Sequence, residues 1–220
     1  APNLESLEGN MEVGYSSTAE EGGDNSLFKG VINVPLIEDV LAVRAVAYRF
    51  DNSGFYKNIA ASDPATSAAA SALSSVAIDE NDIGSYNVEG ARISALWKPT
   101  DEFTINASYV KQKTDQDGWG QADSEVEGDR SQARLQIQTS GDPSAPSFRG
   151  EGLEDDIEIV NLTLEYELSW ASIFSSTSWV DQESVLRRDG SFFFGPGANR
   201  FPWGQNYDFF GEVFTEELRL

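Results

Sequence analysis

The feature that most constrains this chain is an alternation of apolar and polar residues with a period of two. It is clearest at 160–168, where one set of positions is apolar and the intervening set is polar: Val160, Leu162, Leu164, Tyr166 and Leu168 against Asn161, Thr163, Glu165 and Glu167. Successive side chains of a β-strand point to opposite faces, so this segment predicts a strand with one apolar face and one polar face. Such strands are typical of antiparallel sheets.

The same alternation recurs along the chain. We predict eight strands, at 7–15, 27–36, 40–50, 91–97, 103–109, 160–168, 173–182 and 213–220. The Ala- and Ser-rich stretch within 62–77 predicts a short helix between two of them.

The predicted connections alternate in length. Those near 36–39, 99–102 and 169–172 are tight, whereas 53–85, 114–156 and 184–208 are long. Connections in soluble domains have a median of about 4–6 residues, while outer-membrane barrels combine short periplasmic turns with long extracellular loops. Aromatic residues near the tight turns suit an interfacial girdle: Trp97, Phe103, Tyr109, Tyr166 and Trp170.

These patterns predict an all-β fold, an antiparallel transmembrane β-barrel segment of about eight strands. No run of about 18 apolar residues is present to form a transmembrane helix, but barrel strands need only about 9–11 residues. A soluble β-sandwich shows similar alternation and is the alternative fold.

Composition restricts the function. The formal net charge is −22, with 15 basic residues scattered along the chain, which argues against binding of nucleic acid. The chain has no cysteine and no histidine, so thiolate nucleophiles, the usual zinc sites and Ser-His-Asp triads are excluded. Acidic pairs such as Glu165 with Glu167, or Asp155 with Asp156, are expected by chance among 37 acidic residues and do not indicate a glycosidase. We therefore expect a protein that is not an enzyme and has no cofactor and no metal site.

Several segments resemble the early barrel strands of TonB-dependent receptors. They are Asn25–Leu36, Leu41–Arg49 and Ser53–Asn58, and two further stretches, Gly90–Thr100 and Phe214–Leu220, are similar to recurrent parts of that barrel. The resemblance spans most of the predicted strands and leaves the long loops unmatched. It implies that 1–220 is an early part of a 22-stranded barrel, and that the plug domain of the family, with its energy-coupling box, is absent from this chain.

The resemblance also implies a function and partners. Such receptors lie in the outer membrane of Gram-negative bacteria, contact its lipid, and import a scarce nutrient (an iron chelate, cobalamin or an oligosaccharide) with energy from the TonB complex, which acts through the plug. Charged residues of the polar face would then pair with the plug or with each other: Glu8, Glu12, Arg44, Arg92, Glu165, Glu167, Glu217 and Arg219. The alternative is a stand-alone eight-stranded barrel or an extracellular β-domain that acts as an adhesin or glycan-binding module.

Loop aromatics are the candidate ligand-binding residues. Flat apolar rings stack on sugars and aromatic chelates, and the candidates are Phe192, Phe193, Phe194, Phe201, Trp203 and Tyr207. The alternative is that they pack loops against one another or against the barrel rim. An acidic stretch could hold calcium, but its spacing does not match an EF-hand loop and a solvated acidic surface is favoured: Asp115, Asp117, Asp123, Glu125, Glu127 and Asp129.

Overall fold

The fold is almost entirely β-structure. The computed structural model describes residues 1–72, 77–123, 128, 130–134, 150–189 and 204–220. Within these residues the elements are β1 (Glu8–Ser17), β2 (Asp24–Ile37), β3 (Leu41–Asn52), β4 (Tyr56–Ile59), α1 (Pro64–Ala72), β5 (Asp79–Ile83), β6 (Ser85–Thr100), β7 (Phe103–Asp117), β8 (Ser131–Gln132), β9 (Gly152–Glu167), β10 (Ser172–Asp189) and β11 (Gly204–Arg219). No helix in the described ranges is long and apolar enough to cross a lipid bilayer.

Eight long strands form one antiparallel sheet in the order β1-β2-β3-β6-β7-β9-β10-β11. Each strand pairs with the next long strand of the chain, so the eight predicted strands are confirmed, as is the antiparallel all-β class. In the described part of the chain β1 and β11 do not pair, and the sheet is open at both edges. The structure therefore does not support a closed barrel of eight strands.

The register arranges two kinds of rows across all eight strands. One row is polar: Glu8, Asn33, Arg44, Ser94, Ser108, Asn161, Ser178 and Thr215. The adjacent row is mostly apolar: Gly9, Ile32, Ala45, Ile93, Tyr109, Val160, Trp179 and Phe214. Because neighbouring rows point to opposite sides, the sheet has an apolar face and a polar face, as predicted.

The polar face is not uniformly polar. A row of six branched aliphatic residues, with one asparagine and one arginine, crosses its middle: Asn10, Val31, Val46, Arg92, Val110, Ile159, Val180 and Val213. The alternation therefore predicted on which face a residue lies, but it did not predict that one row of the polar face is largely apolar.

One end of the sheet, which we call the turn end, carries the tight turns. Asp39 lies in the first turn with φ +58°, a left-handed conformation that aspartate tolerates. The turns are also bonded to their neighbours: the Lys98 N–H donates to the carbonyl of Val40 at 2.7 Å, and the Glu167 N–H donates to the carbonyl of Glu102 at 2.8 Å. This end is therefore compact.

The N-terminal segment folds onto the polar face at the turn end. The Asn33 side chain accepts from the Asn3 N–H at 2.8 Å and donates to the carbonyls of Asn3 (2.9 Å) and Ser6 (2.8 Å). As a result Asn33 is fully buried.

The opposite end, the loop end, differs from the predicted boundaries. β10 extends to Asp189 rather than about 182, and β11 begins at Gly204 rather than 213. The alternation fades there because charged residues take positions of the apolar face: Asp181, Glu183, Asp208 and Glu212. The predicted loops at 53–85 and 114–156 also contain β4, β5 and β8, which were missed.

The predicted helix is confirmed as α1. It starts at Pro64, whose missing N–H costs nothing at the first helical position. The Asp63 carboxylate precedes it and accepts from the Thr66 N–H at 2.8 Å, which caps the helix.

Candidate ligand-binding surface at the loop end

Segments from different loops form a second small sheet at the loop end. β4 pairs antiparallel with β5 of its own loop, and parallel with β8, through Lys57 with Ser131 and Asn58 with Gln132. We call β4, β5, the segment 130–134 that contains β8, and the connections 18–23, 53–55, 118–123 and 150–151 the loop assembly. β8 has only two residues, too few to show an alternation of apolar and polar positions, so the sequence did not predict it.

The connection 18–23 is tied to the loop assembly by ion pairs. Lys57 lies 2.8 Å from the Glu21 carboxylate, and Arg130 lies 2.6 Å from Glu20. The Arg130 guanidinium also lies 6.0 Å from the centre of the Phe55 ring, within the range of a cation–π contact. Side chains from three connections thus hold one another in place.

The interior of the loop assembly is polar, and several of its buried groups bond to one another. Asn58 is buried; it donates to the carbonyl of Arg134 at 3.0 Å and accepts from the Arg134 N–H at 2.8 Å. The Arg134 side chain is 2 % exposed and pairs with Asp123 at 2.7 Å. A buried charge needs such a partner, because water no longer solvates it. The interior therefore acts as a scaffold rather than as an open binding site.

Glu151 is the most strongly perturbed acid of the loop assembly. Burial raises its pKa to about 7, Arg134 opposes that rise, and the Asp189 N–H donates to its carboxylate at 2.8 Å. Its own carbonyl accepts from the Gly118 N–H at 2.8 Å. Glu151 therefore links the ends of β7, β9 and β10.

A cavity of about 460 Å³ lies beside the loop assembly. Its floor is one row of the register: Asp51, Asn87, Asp115 and Glu154. Cations balance these carboxylates, with Arg187 at 2.8 Å from Glu154 and Lys113 at 3.4 Å from Asp115. This row belongs to the side of the sheet that carries the apolar face.

Asp117 lies near this cavity and has a raised pKa. Burial raises the pKa of Asp117, and the nearby Asp82 raises it further. Among the described residues no group of three potential ligands is placed to hold a metal ion. Asp115, Asp117 and Asp123 of the acidic stretch are described and do not converge, while Glu125, Glu127 and Asp129 lie outside the described residues.

Of the predicted ligand-binding aromatics, the structure describes Tyr207. It lies on the polar face near the loop end and stacks on Phe209, with ring centres 6.0 Å apart and an interplanar angle of 19°. Both rings are about half exposed. Phe192, Phe193, Phe194, Phe201 and Trp203 lie outside the described residues.

Tyr207 also belongs to an apolar patch that the sequence alone did not predict. The register places it beside Leu186 and Leu153 in one row of the polar face. The sequence does contain a signal for this patch, the two leucines, but both lie in segments that were predicted to be loops. Their position beside Tyr207 is apparent only when β9 and β10 are known to extend that far. Exposed rings beside aliphatic side chains suit a ligand with an apolar surface.

The open two-faced sheet, with tight turns at one end and an ordered loop assembly at the other, has the architecture of a segment of an antiparallel β-barrel. No protein-family model and no curated protein sequence matches the chain. Among solved structures its fold is similar to that of the siderophore receptor PirA from Acinetobacter baumannii, with a TM-score of 0.58 and 16 % sequence identity.

The alignment with PirA covers 99 % of this chain and 27 % of that receptor. At 16 % identity the likeness is one of fold. It confirms the predicted resemblance to this type of receptor barrel, and the chain spans about a quarter of the receptor's length.

Proposed function

We propose that this chain is part of a TonB-dependent receptor of the bacterial outer membrane, which binds a scarce nutrient and imports it with energy from the TonB complex. The observation that carries the proposal is the pair of adjacent rows that cross all eight strands, one apolar and one polar. A sheet with an exposed apolar face is stable where lipid covers that face.

The fold likeness supports the same proposal. PirA is a siderophore receptor, and nearly the whole of this chain shares the fold of part of that receptor. The two free edges of the sheet would pair with further strands of a larger barrel, because unpaired edges are not tolerated in lipid. The polar face would then line the lumen, and Tyr207 would face a ligand that enters from the loop end.

Uptake by whole cells tests the proposal. The complete receptor is expressed in Gram-negative cells with and without TonB, and the uptake of labelled ferric chelates, cobalamin and oligosaccharides is measured. We expect accumulation of one of these ligands in cells that have TonB, and surface binding alone in cells that lack it. Uptake that is equal in both strains, or binding to host glycans without any uptake, would overturn the proposal.

A variant connects the uptake to the candidate surface. Tyr207→Ala removes the ring that stacks on Phe209, and we expect weaker ligand binding with an unchanged amount of receptor in the membrane. Tyr15→Ala is the matched control, because Tyr15 is an exposed tyrosine on the apolar face. Equal ligand affinity of the two variants would remove Tyr207 from the site.

A further inference from the structure

The charged edge of the apolar face runs obliquely across the sheet. The row that contains Met11 shows this within a single line of the register. The row is uncharged on β1, β2, β3 and β6 and charged on β7, β9, β10 and β11: Met11, Gly30, Ala47, Ala91, Lys111, Glu158, Asp181 and Glu212. The boundary between uncharged and charged positions therefore does not follow the register.

The neighbouring rows locate the boundary on either side of that break. Toward the loop end, the row of Val13 is uncharged on β1 and β2 and becomes charged at Arg49 of β3. Toward the turn end, the row of Gly9 carries no charge on any of the eight strands. The boundary thus moves toward the turn end from β1 to β7 and stays at one row from there to β11.

The uncharged band keeps its width while it shifts. In the strands that leave the three tight turns, the separation between the first residue and the first charge on the apolar face is nearly constant. It is eight residues from Leu41 to Arg49, eight from Phe103 to Lys111 and nine from Ser172 to Asp181. In the described register Glu216, on the edge strand β11, is the one charged residue inside this band. A band of constant width that shifts along successive strands has the shape of a flat slab that the strands cross at an angle.

The angle can be estimated from the register. Between Tyr15 on β1 and Phe214 on β11, the last apolar residue before the charged positions moves by six residues. This is about 20 Å along the strands over a sheet about 34 Å wide, which gives a mean angle of about 30°. Barrel strands are typically tilted by about 35–45°. A planar layer of hydrocarbon imposes such a straight oblique edge, whereas a protein partner has no reason to.

We propose that the hydrocarbon of a lipid bilayer covers this band, and that its surface on the loop side crosses the strands obliquely, from Tyr15 on β1 to Phe214 on β11. Residues of one register row then lie in different media. Val13 and Phe28 contact acyl chains, while Glu183 of the same row lies in water, because burial of an unpaired carboxylate in hydrocarbon is costly. The inference rests on the proposed function, because it requires a membrane, and it adds the depth of each strand.

Fluorescence quenching in vesicles tests the boundary. The full-length protein is folded into lipid vesicles as Val13→Cys, Glu183→Cys or Ala45→Cys, and the cysteine carries a small fluorophore. A nitroxide on the acyl chains quenches labels in hydrocarbon, and iodide quenches labels in water. We expect the nitroxide lipid to quench the label at position 13 and iodide to quench the label at position 183. Ala45→Cys is the control, because the row of Gly9 lies in hydrocarbon at any angle.

A pair of identical substitutions tests the boundary without a label. Val13 and Val185 lie on the same side of the sheet, and the row of Val185 contains Glu154 and Asp208. We expect Val13→Lys to lower the urea midpoint of unfolding in vesicles, because hydrocarbon does not solvate the ammonium group. Val185→Lys should leave the midpoint unchanged or raise it, since water and two acidic neighbours surround that position.

Two kinds of result would overturn the proposal. If the label at position 45 is in hydrocarbon but the labels at 13 and 183 respond alike, or if the two lysine variants lose equal stability, the oblique boundary is wrong and the membrane function stands. If iodide rather than the nitroxide lipid quenches the label at position 45, lipid does not cover the apolar face, and the membrane function is wrong as well.

Discussion

At the scale of single residues, the polar face depends on a close contact between Tyr48 and Gly90. The Tyr48 hydroxyl donates to Gln112 at 2.7 Å, and the ring passes over Gly90. A Cβ on Gly90 would lie 2.5 Å from the Tyr48 hydroxyl oxygen and 2.9 Å from the carbonyl oxygen of Lys111. Any other residue at position 90 must therefore displace the tyrosine.

We predict that Gly90→Ala lowers the free energy of unfolding of the full-length protein by about 1–3 kcal/mol, because overpacking forces neighbours out of place. Tyr48→Ala in the same protein should recover part of that loss, which a double-mutant cycle by urea titration measures. Gly211→Ala is the control, since Gly211 lies in the same row and a Cβ there would meet nothing within 4 Å. Equal losses of unfolding free energy in Gly90→Ala and Gly211→Ala would show that Tyr48 does not restrict the residue at position 90.

Asn33 is the second residue on which the polar face depends. Asn33→Ala leaves the Asn3 N–H and the carbonyls of Asn3 and Ser6 without their partner, and such losses cost about 1–3 kcal/mol. We expect the N-terminal segment to become accessible to limited proteolysis. Ser108→Ala, in the same row of the sheet, should leave the segment protected. Protection of the segment in both variants would show that other contacts hold it.

At the scale of elements, the strands are longer than a bilayer requires. β7, β9 and β10 have 15, 16 and 18 residues, against the about 9–11 that cross a membrane. Their additional residues lie at the loop end, where the apolar face becomes charged. These projecting strand ends support the loop assembly, and Glu151 joins three of them.

The raised pKa of Glu151 predicts that the loop assembly weakens as pH rises. Its carboxyl has a pKa of about 7 when buried, against an ordinary value of 4.5, so between these values the closed form binds a proton that the open form lacks. The stabilisation is complete below about pH 4.5 and is lost as pH rises through about 7. Burial is the largest cause of the raised pKa; Arg134, the Asp189 N–H and Arg188 favour the charged form of Glu151, and the Asp189 carboxylate disfavours it.

Amide exchange measures this effect in the complete receptor. Exchange at Gly118 and Asp189, corrected for its intrinsic pH dependence, should be slower at pH 5 than at pH 8 in the wild type. Glu151→Gln should remove the difference, and Glu20→Gln, at an exposed position, should preserve it. A pH effect that survives in Glu151→Gln would have to come from another group.

At the scale of the whole molecule, the two faces predict unequal tolerance of charge. Leu162 and Thr163 are adjacent in β9 and lie on the apolar and the polar face respectively. On the proposed function, Leu162→Arg should destabilise the full-length protein in vesicles by about 2–4 kcal/mol, because lipid does not solvate the guanidinium, and Thr163→Arg should cost much less. Urea titration of the protein folded into vesicles measures both values. Similar values for the two variants would show that lipid does not cover the apolar face.

The sequence predicted most of this architecture and missed its long-range contacts. The alternation at 160–168 correctly placed Leu162 and Thr163 on opposite faces, and the tight turns were correctly found. It could not predict that Gly30, Ala47 and Ala91 lie side by side on the apolar face, because that requires the register of three strands. It also did not predict β8, since a strand of two residues has no period.

The parallel pairing of β4 with β8 joins residues more than 70 positions apart in the chain, Lys57 with Ser131. The loop assembly is consequently a single structure built from several connections rather than a set of separate loops. Transfer of one loop alone into another barrel would carry half of a sheet without its partner. An antibody raised against a linear peptide from this region would likewise meet its sequence on the native protein only as part of a surface shared with other segments.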